Sequence, residues 1–396
     1  MSFFDEIPLL PDDPILGLPI LFAAEPRPNK VNLGIGSYKT AEGLPLVLNS
    51  VRKAENLIVQ RHLNKEYLPI DGDAEFLKCA LQLIFGGELS SIEPERLYAS
   101  QTIGGSGALR VAGELFSKLI SRNIFLPQPS WPNHKPLFER GGMNVGSYPY
   151  FDPKTHLLDF KGMCQAINNL PPASIILLHA SCHNPTGVDP TAEQWRELSG
   201  LIKKRGLFPF FDFAYQGFGD SIEADAQSVR LFASEGHEMM VAYSFSKNFG
   251  LYGERVGLLS VLTSQSKAKP KIASQIKTLI RGNYSSPPLQ GARIVSTILK
   301  SHELTLDWKG ELSNMSERII EMRKALVAAL LVKGHDRNFD FILKQNGLFS
   351  FIGLTKEQVD RLRSEYAIYM PSNGRINLAG LNTQNIEYFV QALLSV

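Results

Sequence analysis

The most reactive candidate in the sequence is a lysine, Lys247, which directly follows an apolar run. The run MMVAYSF (residues 239–245) predicts a buried strand, so Lys247 would stand where the chain leaves the core. A lysine at a strand end commonly packs its methylene stem and keeps its ammonium group in water. The alternative is a lysine whose pKa falls on desolvation, so that its neutral amine can attack a carbonyl carbon and form a Schiff base. This stretch by itself allows both interpretations.

Three further polar side chains follow predicted strands. Asn184 comes after the apolar run ASIILLHA, and Asp212 and Tyr215 come after LFPFF. The carboxyl ends of parallel strands share one edge of an open sheet, and ligands bind outside that edge. We therefore expect an amide, a carboxylate, a phenol and the amine of Lys247 to converge on one site.

The sequence also offers groups that bind phosphate. The turn GGSG (residues 104–107) leads into a helical pattern, and the first N–H groups of a helix form an anion site. Ser244, Ser246 and Arg255 add hydroxyl and guanidinium donors. The glycine run alone is weak evidence for a dinucleotide fold. Because the acidic ribose-binding residue expected about twenty positions later is missing, a Rossmann dehydrogenase is disfavoured.

A phosphate site, an amine, a carboxylate and a flat aromatic such as Trp131 together describe a site for pyridoxal 5′-phosphate. There the lysine forms a Schiff base, and the aspartate keeps the ring nitrogen protonated so that the ring can accept electrons. Singly, each residue has a structural explanation: Asn184 before Pro185 starts a turn, and Asp212 could be a paired core carboxylate. The combination is what indicates the cofactor.

The elements that must hold these residues alternate between strands and helices from about residue 95 onward. Helical spacing is found at residues 192–204 and 225–236. We predict strands at residues 123–128, 173–180, 207–213, 239–245 and 256–262. This alternation predicts an α/β fold with a doubly wound, mostly parallel sheet.

The C-terminal part of the chain predicts a second, smaller α+β domain. A long helical pattern runs on from residue 302 and ends at Gly334, a common helix stop. The run FDFILKQNGLFSFIGL then predicts two short strands joined by a turn at Asn346-Gly347. We expect an N-terminal extended arm of residues 1–14, a small domain of residues 15–45 and 312–396, and a large cofactor-binding domain of residues 46–311.

Composition is that of a globular protein and excludes several classes. Hydrophobic residues make up 44% and charged residues 20% of the 396 residues, and the net charge of +2 gives no case for nucleic-acid binding. No apolar run is long enough to span a bilayer. Cys79, Cys164 and Cys182 lack metal spacing, so we expect no metal site. With no signal peptide, these features predict a cytoplasmic protein.

Ten motifs in order resemble those of the class I aspartate/aromatic aminotransferases, which have fold type I of the pyridoxal-phosphate enzymes. They are DPILGL, VNLGIGSYK, YLPIDG, GGSGALR, PSWPNHK, HNPTGVDP, FDFAYQGF, SFSKNFGLYGERVG, RGNYSSPP and NGRINLAG. They extend over essentially the whole chain. The resemblance implies a homodimer with two sites built across its interface, amino-acid and 2-oxo-acid substrates, and ping-pong transamination.

The resemblance also assigns residue roles. Lys247 in SFSK corresponds to the Schiff-base lysine and, once released, to the base that moves a proton from the substrate α-carbon. Asp212 pairs with the pyridine nitrogen and is backed by His134 and His179, while His183 is expected to be a core histidine. The other implied cofactor contacts are Trp131 on the ring face, Tyr215 and Asn184 on the ring hydroxyl, Gly105, Ser106, Ser244 and Arg255 on the phosphate, and Tyr67 on the phosphate of the neighbouring subunit.

Two arginines are implied to bind the substrate, since a planar guanidinium meets a carboxylate with two parallel hydrogen bonds. Arg375 in NGRINLAG matches the clamp of the α-carboxylate, assisted by Gly36, Trp131 and Asn184. Arg281 in RGNYSSPP matches the arginine that the other subunit contributes to bind the distal carboxylate of aspartate or glutamate.

The resemblance leaves the substrate range open. GIGSYK and KNFGLY are similar to the aspartate branch, and Asp13 resembles a carboxylate near the distal arginine of an empty site. Ser286, Gly253 and Phe245 also occur in the branch that prefers aromatic substrates. We expect conversion of aspartate and 2-oxoglutarate to oxaloacetate and glutamate, with a tyrosine/phenylalanine or dual-specificity enzyme as the alternative. A non-catalytic scaffold of the same fold is disfavoured, because it would not need Lys247.

Overall fold

The computed structural model describes residues 3–11, 13, 15–90, 92–333 and 338–396. Its strands are β1 (Val31–Asn32), β2 (Leu97–Ile103), β3 (Asn123–Gln128), β4 (Asn144–Pro149), β5 (Phe151–Asp152), β6 (Leu157–Leu158), β7 (Ile175–His179), β8 (Phe208–Phe213), β9 (Met239–Ser244), β10 (Val256–Leu262), β11 (Phe349–Phe351), β12 (Ile368–Tyr369) and β13 (Arg375–Asn377). Its α-helices are α1 (Leu18–Ala24), α2 (Asn49–Gln60), α3 (Ala74–Phe85), α4 (Gly104–Leu119), α5 (His134–Arg140), α6 (Phe160–Asn168), α7 (Ala192–Arg205), α8 (Gln227–Ser234), α9 (Lys269–Asn283), α10 (Gln290–Lys300), α11 (His302–Val332), α12 (Lys356–Tyr366) and α13 (Ile386–Leu394).

A seven-stranded sheet with the order β2-β10-β9-β8-β7-β3-β4 forms the centre of the fold. Strand β10 is antiparallel to both of its neighbours, and the other neighbouring pairs are parallel. The doubly wound, mostly parallel sheet predicted from the sequence is thereby confirmed. All five predicted strands are present, and the edge strands β2 and β4 are additional to them.

The central strands β7, β8 and β9 are parallel, and their carboxyl ends lie side by side. Their residues are buried almost throughout, as is typical of parallel strands covered by helices on both faces. In the parallel register His179 pairs with Asp212, and Phe213 pairs with Tyr243. The chain therefore leaves all three strands at the same edge, where Asn184, Tyr215 and Lys247 follow.

Local signals explain where the surrounding helices begin and end. Helix α7 starts with a capping box in which the Thr191 side chain accepts from the backbone N–H of Gln194, and it ends at Gly206 in the left-handed region. It agrees with the predicted helix at 192–204. The second predicted helix is a 3₁₀ turn, Ala224–Ala226, followed by α8.

The long C-terminal helix is also present as α11, which the Ser301 hydroxyl caps by accepting from the N–H of Leu304. The predicted stop at Gly334 lies outside the described residues. Residues 3–11 form neither helix nor strand and are exposed to solvent. No helix within the described ranges combines the length and the apolar character needed to cross a membrane.

The predicted hairpin around Asn346-Gly347 is wrong. Asp340–Lys344 is a 3₁₀ helix, and β11 pairs antiparallel with β13 instead of with the preceding segment. The partners of this segment lie on other elements. Arg323 of α11, a buried arginine, donates to the backbone carbonyls of Ile342, Gly347 and Phe349 at 2.8–3.1 Å and holds the segment against α11.

The N-terminal and C-terminal parts of the expected small domain are paired with each other. Strand β1 runs parallel to β12, with Val31 opposite Ile368 and Asn32 opposite Tyr369. The Arg27 side chain adds hydrogen bonds to backbone carbonyls at the end of α12. The exact division of the chain into domains stays a prediction.

Candidate active site

A cavity of about 500 Å³ lies at the carboxyl ends of the central strands. Thirteen of the residues predicted for the site line it: Gly36, Gly105, Ser106, Trp131, His179, Asn184, Asp212, Tyr215, Ser244, Ser246, Lys247, Arg255 and Arg375. They come from strand ends, from the first turn of α4, from β13 and from the segment after β1. The fold therefore brings together residues that are far apart in the sequence.

Lys247 is half-buried in this cavity, with its Nζ atom 5.1 Å from the centre of the Tyr215 ring. Burial lowers the pKa of Lys247 to about 8, with Arg255 and Arg375 lowering it further and Asp212 opposing them. The neutral amine is consequently far more populated near neutral pH than for an exposed lysine. This environment is what an amine needs to act as a nucleophile or a base.

Asp212 lies on the floor of the cavity and is backed by a hydrogen-bonded histidine. His134 Nε2 lies 2.9 Å from Asp212 Oδ2, and His134 Nδ1 lies 2.8 Å from the Ser130 hydroxyl. Burial acts to raise the pKa of Asp212, but the hydrogen bond and charge of His134, with smaller contributions from His179 and Lys247, bring it below its ordinary value. Asp212 is therefore an ionised carboxylate at neutral pH.

His134, His179 and Asp212 lie within 4.8 Å of one another, a spacing that would suit a metal ion. Both ring nitrogens of His134 are hydrogen-bonded here, so binding a metal ion would break its bond to Ser130 or to Asp212. Burial lowers the pKa of His179 to about 3, which keeps its ring neutral. The expectation of no metal site stays a prediction. His183 lies in the core, with Nδ1 bonded to Thr186 and its ring stacked on Tyr150.

Arg375, which also lines the cavity, is buried and only 2% exposed. It donates to Asn184 Oδ1 at 3.2 Å and to the carbonyl of Gly34, and it stacks 4.1 Å above the centre of the Phe349 ring. Its Nε has no partner, and the described residues place no carboxylate against it. Burial lowers the pKa of Arg375 to about 10, so it stays charged at neutral pH. A buried charge without a counter-ion favours the binding of an anion.

A second anion site lies at the start of α4; we call Gly105, Ser106, Ser244 and Arg255 the anion cradle. The first turn of α4 has no side-chain cap, and its residues Gly105 and Ser106 line the cavity. Its first N–H groups therefore have no side-chain partner of that kind and can bind an anion. Arg255 reaches the same place, where Nη1 donates to the Ser246 hydroxyl at 3.4 Å. Gly104 is required here, since it has φ +74° and a Cβ atom would overlap the Arg255 guanidinium.

Three predicted residues lie outside the cavity. Tyr67 is 86% exposed, and Arg281 is exposed at the end of α9, where it donates to the Ser285 hydroxyl. Asp13 is exposed and accepts from the N–H groups of Ile15 and Leu16 at 2.8–2.9 Å. The other residues that the resemblance assigns to the α-carboxylate and the phosphate line the cavity of a single chain.

The comparison with known families agrees with this geometry. The model of the family "Aminotransferase class I and II" matches residues 28–393. The chain belongs to this family. It is therefore an aminotransferase, and the resemblance inferred from the ten motifs is confirmed.

Relatives of this aminotransferase align with it over nearly their whole length. Aspartate aminotransferase of Escherichia coli (strain K12) is 46% identical over 394 residues, which are 99% of this chain and 100% of the relative. Mitochondrial aspartate aminotransferase of Dictyostelium discoideum is 47% identical over 388 residues, 98% of this chain and 91% of the relative. The crystal structure of an aromatic-amino-acid aminotransferase from Burkholderia pseudomallei, covalently bound to pyridoxal phosphate, has a TM-score of 0.95 and 45% identity and covers 100% of this chain and 99% of its own.

The structure of the aminotransferase also reveals cavity residues that the sequence did not indicate. Tyr252 and Phe349 line the cavity, as do the apolar side chains Ile15, Leu16, Ile35 and Leu109. Tyr252 lies within the motif SFSKNFGLYGER, so attention to that motif could have found it. Phe349 lies in the segment whose conformation was wrongly predicted, and no motif marked it.

Proposed function

We propose that this aminotransferase transfers the amino group of L-aspartate to 2-oxoglutarate, giving oxaloacetate and L-glutamate, with pyridoxal 5′-phosphate as its cofactor. The observation that carries the amino-acid part of the proposal is the buried Arg375 guanidinium, which lines the same cavity as Lys247 and has no acidic partner among the described residues. The choice of aspartate is supported by the relatives named aspartate aminotransferase. An α-amino acid carries a carboxylate beside the carbon that reacts. Its carboxylate would bind Arg375 and Asn184 while its α-carbon comes to Lys247.

The donor set of the cavity fits pyridoxal phosphate. The anion cradle offers helix N–H groups, hydroxyls and a guanidinium that would bind the phosphate. The ionised Asp212, which lines the same cavity, would pair with the protonated ring nitrogen. Asn184 and Tyr215, whose polar atoms lie 3.4 Å apart, would hold the ring hydroxyl, and Trp131 would cover a ring face. When bound, the cofactor supplies an electron sink for the carbon that loses its proton.

The protein residues have separate tasks in this proposal. Lys247 takes the proton from the substrate α-carbon, and its pKa of about 8 suits a base that works near neutral pH. Asp212 stays ionised because His134 donates to it. Burial raises the pKa of Tyr215, so its hydroxyl remains a donor at any working pH. Together with Arg375, these groups hold and orient the substrate while the proton moves.

We also propose a homodimer in which Tyr67 and Arg281 serve the cavity of the other subunit. Both side chains are exposed and lie outside the cavity of their own chain, which supports this role. Tyr67 would reach the phosphate, and Arg281 would bind the distal carboxylate of aspartate or glutamate. A cytoplasmic location is part of the proposal, supported by three cysteines that are all free thiols.

Replacing Arg281 tests the substrate. Arg281→Leu removes two charge-assisted hydrogen bonds to the distal carboxylate, each worth about 1.5–3 kcal/mol. We expect kcat/KM for aspartate to fall on the order of 10²–10⁴-fold and that for phenylalanine to be unchanged or higher. Lys271→Leu, an exposed change on the same helix, is the matched control and should affect neither substrate. Equal losses for aspartate and phenylalanine would show that Arg281 does not bind the distal carboxylate.

A tyrosine/phenylalanine or dual-specificity aminotransferase is the second candidate. The apolar side chains of Ile15, Leu16, Ile35 and Leu109 in the cavity wall favour it, since they could contact an aromatic ring. Half-reaction rates of the cofactor-loaded enzyme with aspartate, glutamate, tyrosine and phenylalanine decide between the two. The first proposal requires the dicarboxylic substrates to react fastest.

A further inference from the structure

A tyrosine hydroxyl connects two walls of the active-site cavity. The phenol oxygen of Tyr252 accepts a hydrogen bond from the backbone N–H of Tyr38 at 2.9 Å. Tyr252 belongs to the loop that begins with Lys247, whereas Tyr38 ends the segment of residues 35–38, which contains Gly36. We call this segment the Gly36 wall. The bond therefore joins the substrate-binding wall to the loop of the reacting lysine.

Two further hydrogen bonds of the Gly36 wall come from β13. Asn377 Nδ2 donates to the carbonyls of Ile35 and Ser37 at 2.6 and 2.8 Å. Arg375 donates to the carbonyl of Gly34, immediately before the wall. These bonds fix the wall relative to Arg375. The Tyr252 bond instead fixes it relative to Lys247.

The Tyr252–Tyr38 bond is buried enough to matter. Tyr38 is 6% exposed, and a buried backbone N–H that loses its partner is costly. Burial also raises the pKa of Tyr252 to about 12, so the phenol stays neutral over the working range. The Tyr252 oxygen therefore accepts from the Tyr38 N–H, and the Tyr252 side chain lines the cavity.

We propose that Tyr252 is a positioning residue, which sets the distance between the substrate α-carboxylate at Arg375 and the amine of Lys247 by tethering the Gly36 wall. The inference rests on the proposed function, because it places an amino-acid carboxylate between this wall and Arg375. Tyr252 would act on the α-carboxylate, which all amino acids share. Loss of the Tyr252–Tyr38 bond should therefore weaken the binding of aspartate and of phenylalanine equally, whereas loss of Arg281 should weaken only the binding of aspartate.

The test is Tyr252→Phe, which removes the hydroxyl and keeps the ring. The matched control is Tyr148→Phe, which also removes one buried phenol hydrogen bond, from Tyr148 to the Leu177 carbonyl at 2.6 Å, but away from the cavity. We expect Tyr252→Phe holoenzyme to bind maleate and 3-phenylpropionate about ten-fold more weakly. We also expect kcat for aspartate and phenylalanine to fall while KM rises, by equal factors for the two substrates, because the α-carbon is then held less accurately against Lys247. The Tyr38 amide should exchange with solvent faster. Tyr148→Phe should show none of these effects, and Tyr252→Gln, whose amide oxygen can accept the bond, should recover part of the affinity.

The outcomes separate this inference from the proposed function. If the wild-type enzyme binds both analogues and Tyr252→Phe binds them equally well with unchanged Tyr38 exchange, the tether has no positioning role. A loss confined to maleate would also overturn the inference, because it would place Tyr252 at the distal carboxylate. If the wild-type enzyme binds neither analogue, the proposed function fails and the inference fails with it.

Discussion

Lys247 and Asp212 illustrate how neighbouring groups set opposite protonation states in one cavity. Burial disfavours the charged form of both side chains. For Lys247 burial prevails and the pKa falls to about 8, whereas the hydrogen-bonded His134 reverses the effect for Asp212 and lowers its pKa. The cavity thus holds a lysine that can lose its proton beside a carboxylate that keeps its charge.

Removing the amine of Lys247 tests its role as the base. We expect Lys247→Ala to lower kcat/KM for aspartate by at least 10²–10⁴-fold, which is the usual contribution of a general base. Lys118→Ala, an exposed change in the last turn of α4, is the control and should retain full activity. Near-normal turnover by Lys247→Ala would contradict the assignment.

The sequence predicted individual site residues when they followed strands or belonged to motifs. Asn184, Asp212, Tyr215 and Lys247 were found because parallel strands place their carboxyl ends at one edge. The Tyr252–Tyr38 bond spans 214 residues of sequence, and such a contact depends on topology that no local pattern encodes.

Among the elements, α4 and β10 are in close backbone contact at Gly104, the residue before the anion cradle. Gly257 of β10 lies against the backbone of Gly104, and a Cβ atom at Gly257 would overlap that backbone. The strand therefore needs a glycine so that the first turn of α4 can remain beside Arg255.

Gly257→Ala should disturb the cradle by pushing Gly104 away. We expect the affinity for pyridoxal phosphate to fall by about ten-fold or more, as overpacking costs about 1–3 kcal/mol. The measurement is a titration of the apoenzyme followed by absorbance. Gly253→Ala, where a Cβ atom meets no atom within 4 Å, is the control. Equal affinities of the two variants would show that this contact does not shape the cradle.

Strand positions could be predicted better than strand directions and pairings. The five predicted strands are continuous apolar runs, a signal that burial on both faces produces. The same signal carries no direction, so the antiparallel β10 was not foreseen. The hairpin predicted at Asn346-Gly347 was wrong, and the partners of that segment, Arg323 among them, lie on other elements.

For the whole molecule, the proposed sharing of sites between subunits can be tested by mixing variants. Lys247→Ala and Arg281→Leu homodimers should each have two defective sites for aspartate. In a mixed dimer one site receives both changes and the other receives neither, so activity should return toward half the wild-type value. Refolding the two variants together and assaying the mixed dimers measures this. Mixed dimers that remain inactive would mean that both residues serve the cavity of one chain.

Stability of the whole molecule should depend on pH through buried histidines. Burial lowers the pKa of His179 to about 3 and that of His237 to about 4, below the ordinary value of 6.5. The unfolded chain therefore binds more protons than the folded one below pH 6.5. The stabilisation is complete above that pH and is lost as the pH falls toward 4.

We expect the free energy of unfolding to fall by about 1.4 kcal/mol per histidine between about pH 7.5 and 5.5. Urea unfolding at the two pH values measures it. In His237→Gln the free energy of unfolding should fall by about 1.4 kcal/mol less between the two pH values. If it falls as much as in the wild type, His237 does not contribute to the pH dependence.

The two arginines proposed to bind the substrate differ in how firmly the fold holds them. Arg375 is buried and bound to Asn184 and Gly34, so a change there alters the backbone as well as the ligand site. Arg281 is exposed, and its side chain donates to the Ser285 hydroxyl. With the proposed roles, replacing Arg281 should therefore cost the fold less stability than replacing Arg375. Preference for the substrate side chain is then the property that a substitution can alter with the least loss of folding stability.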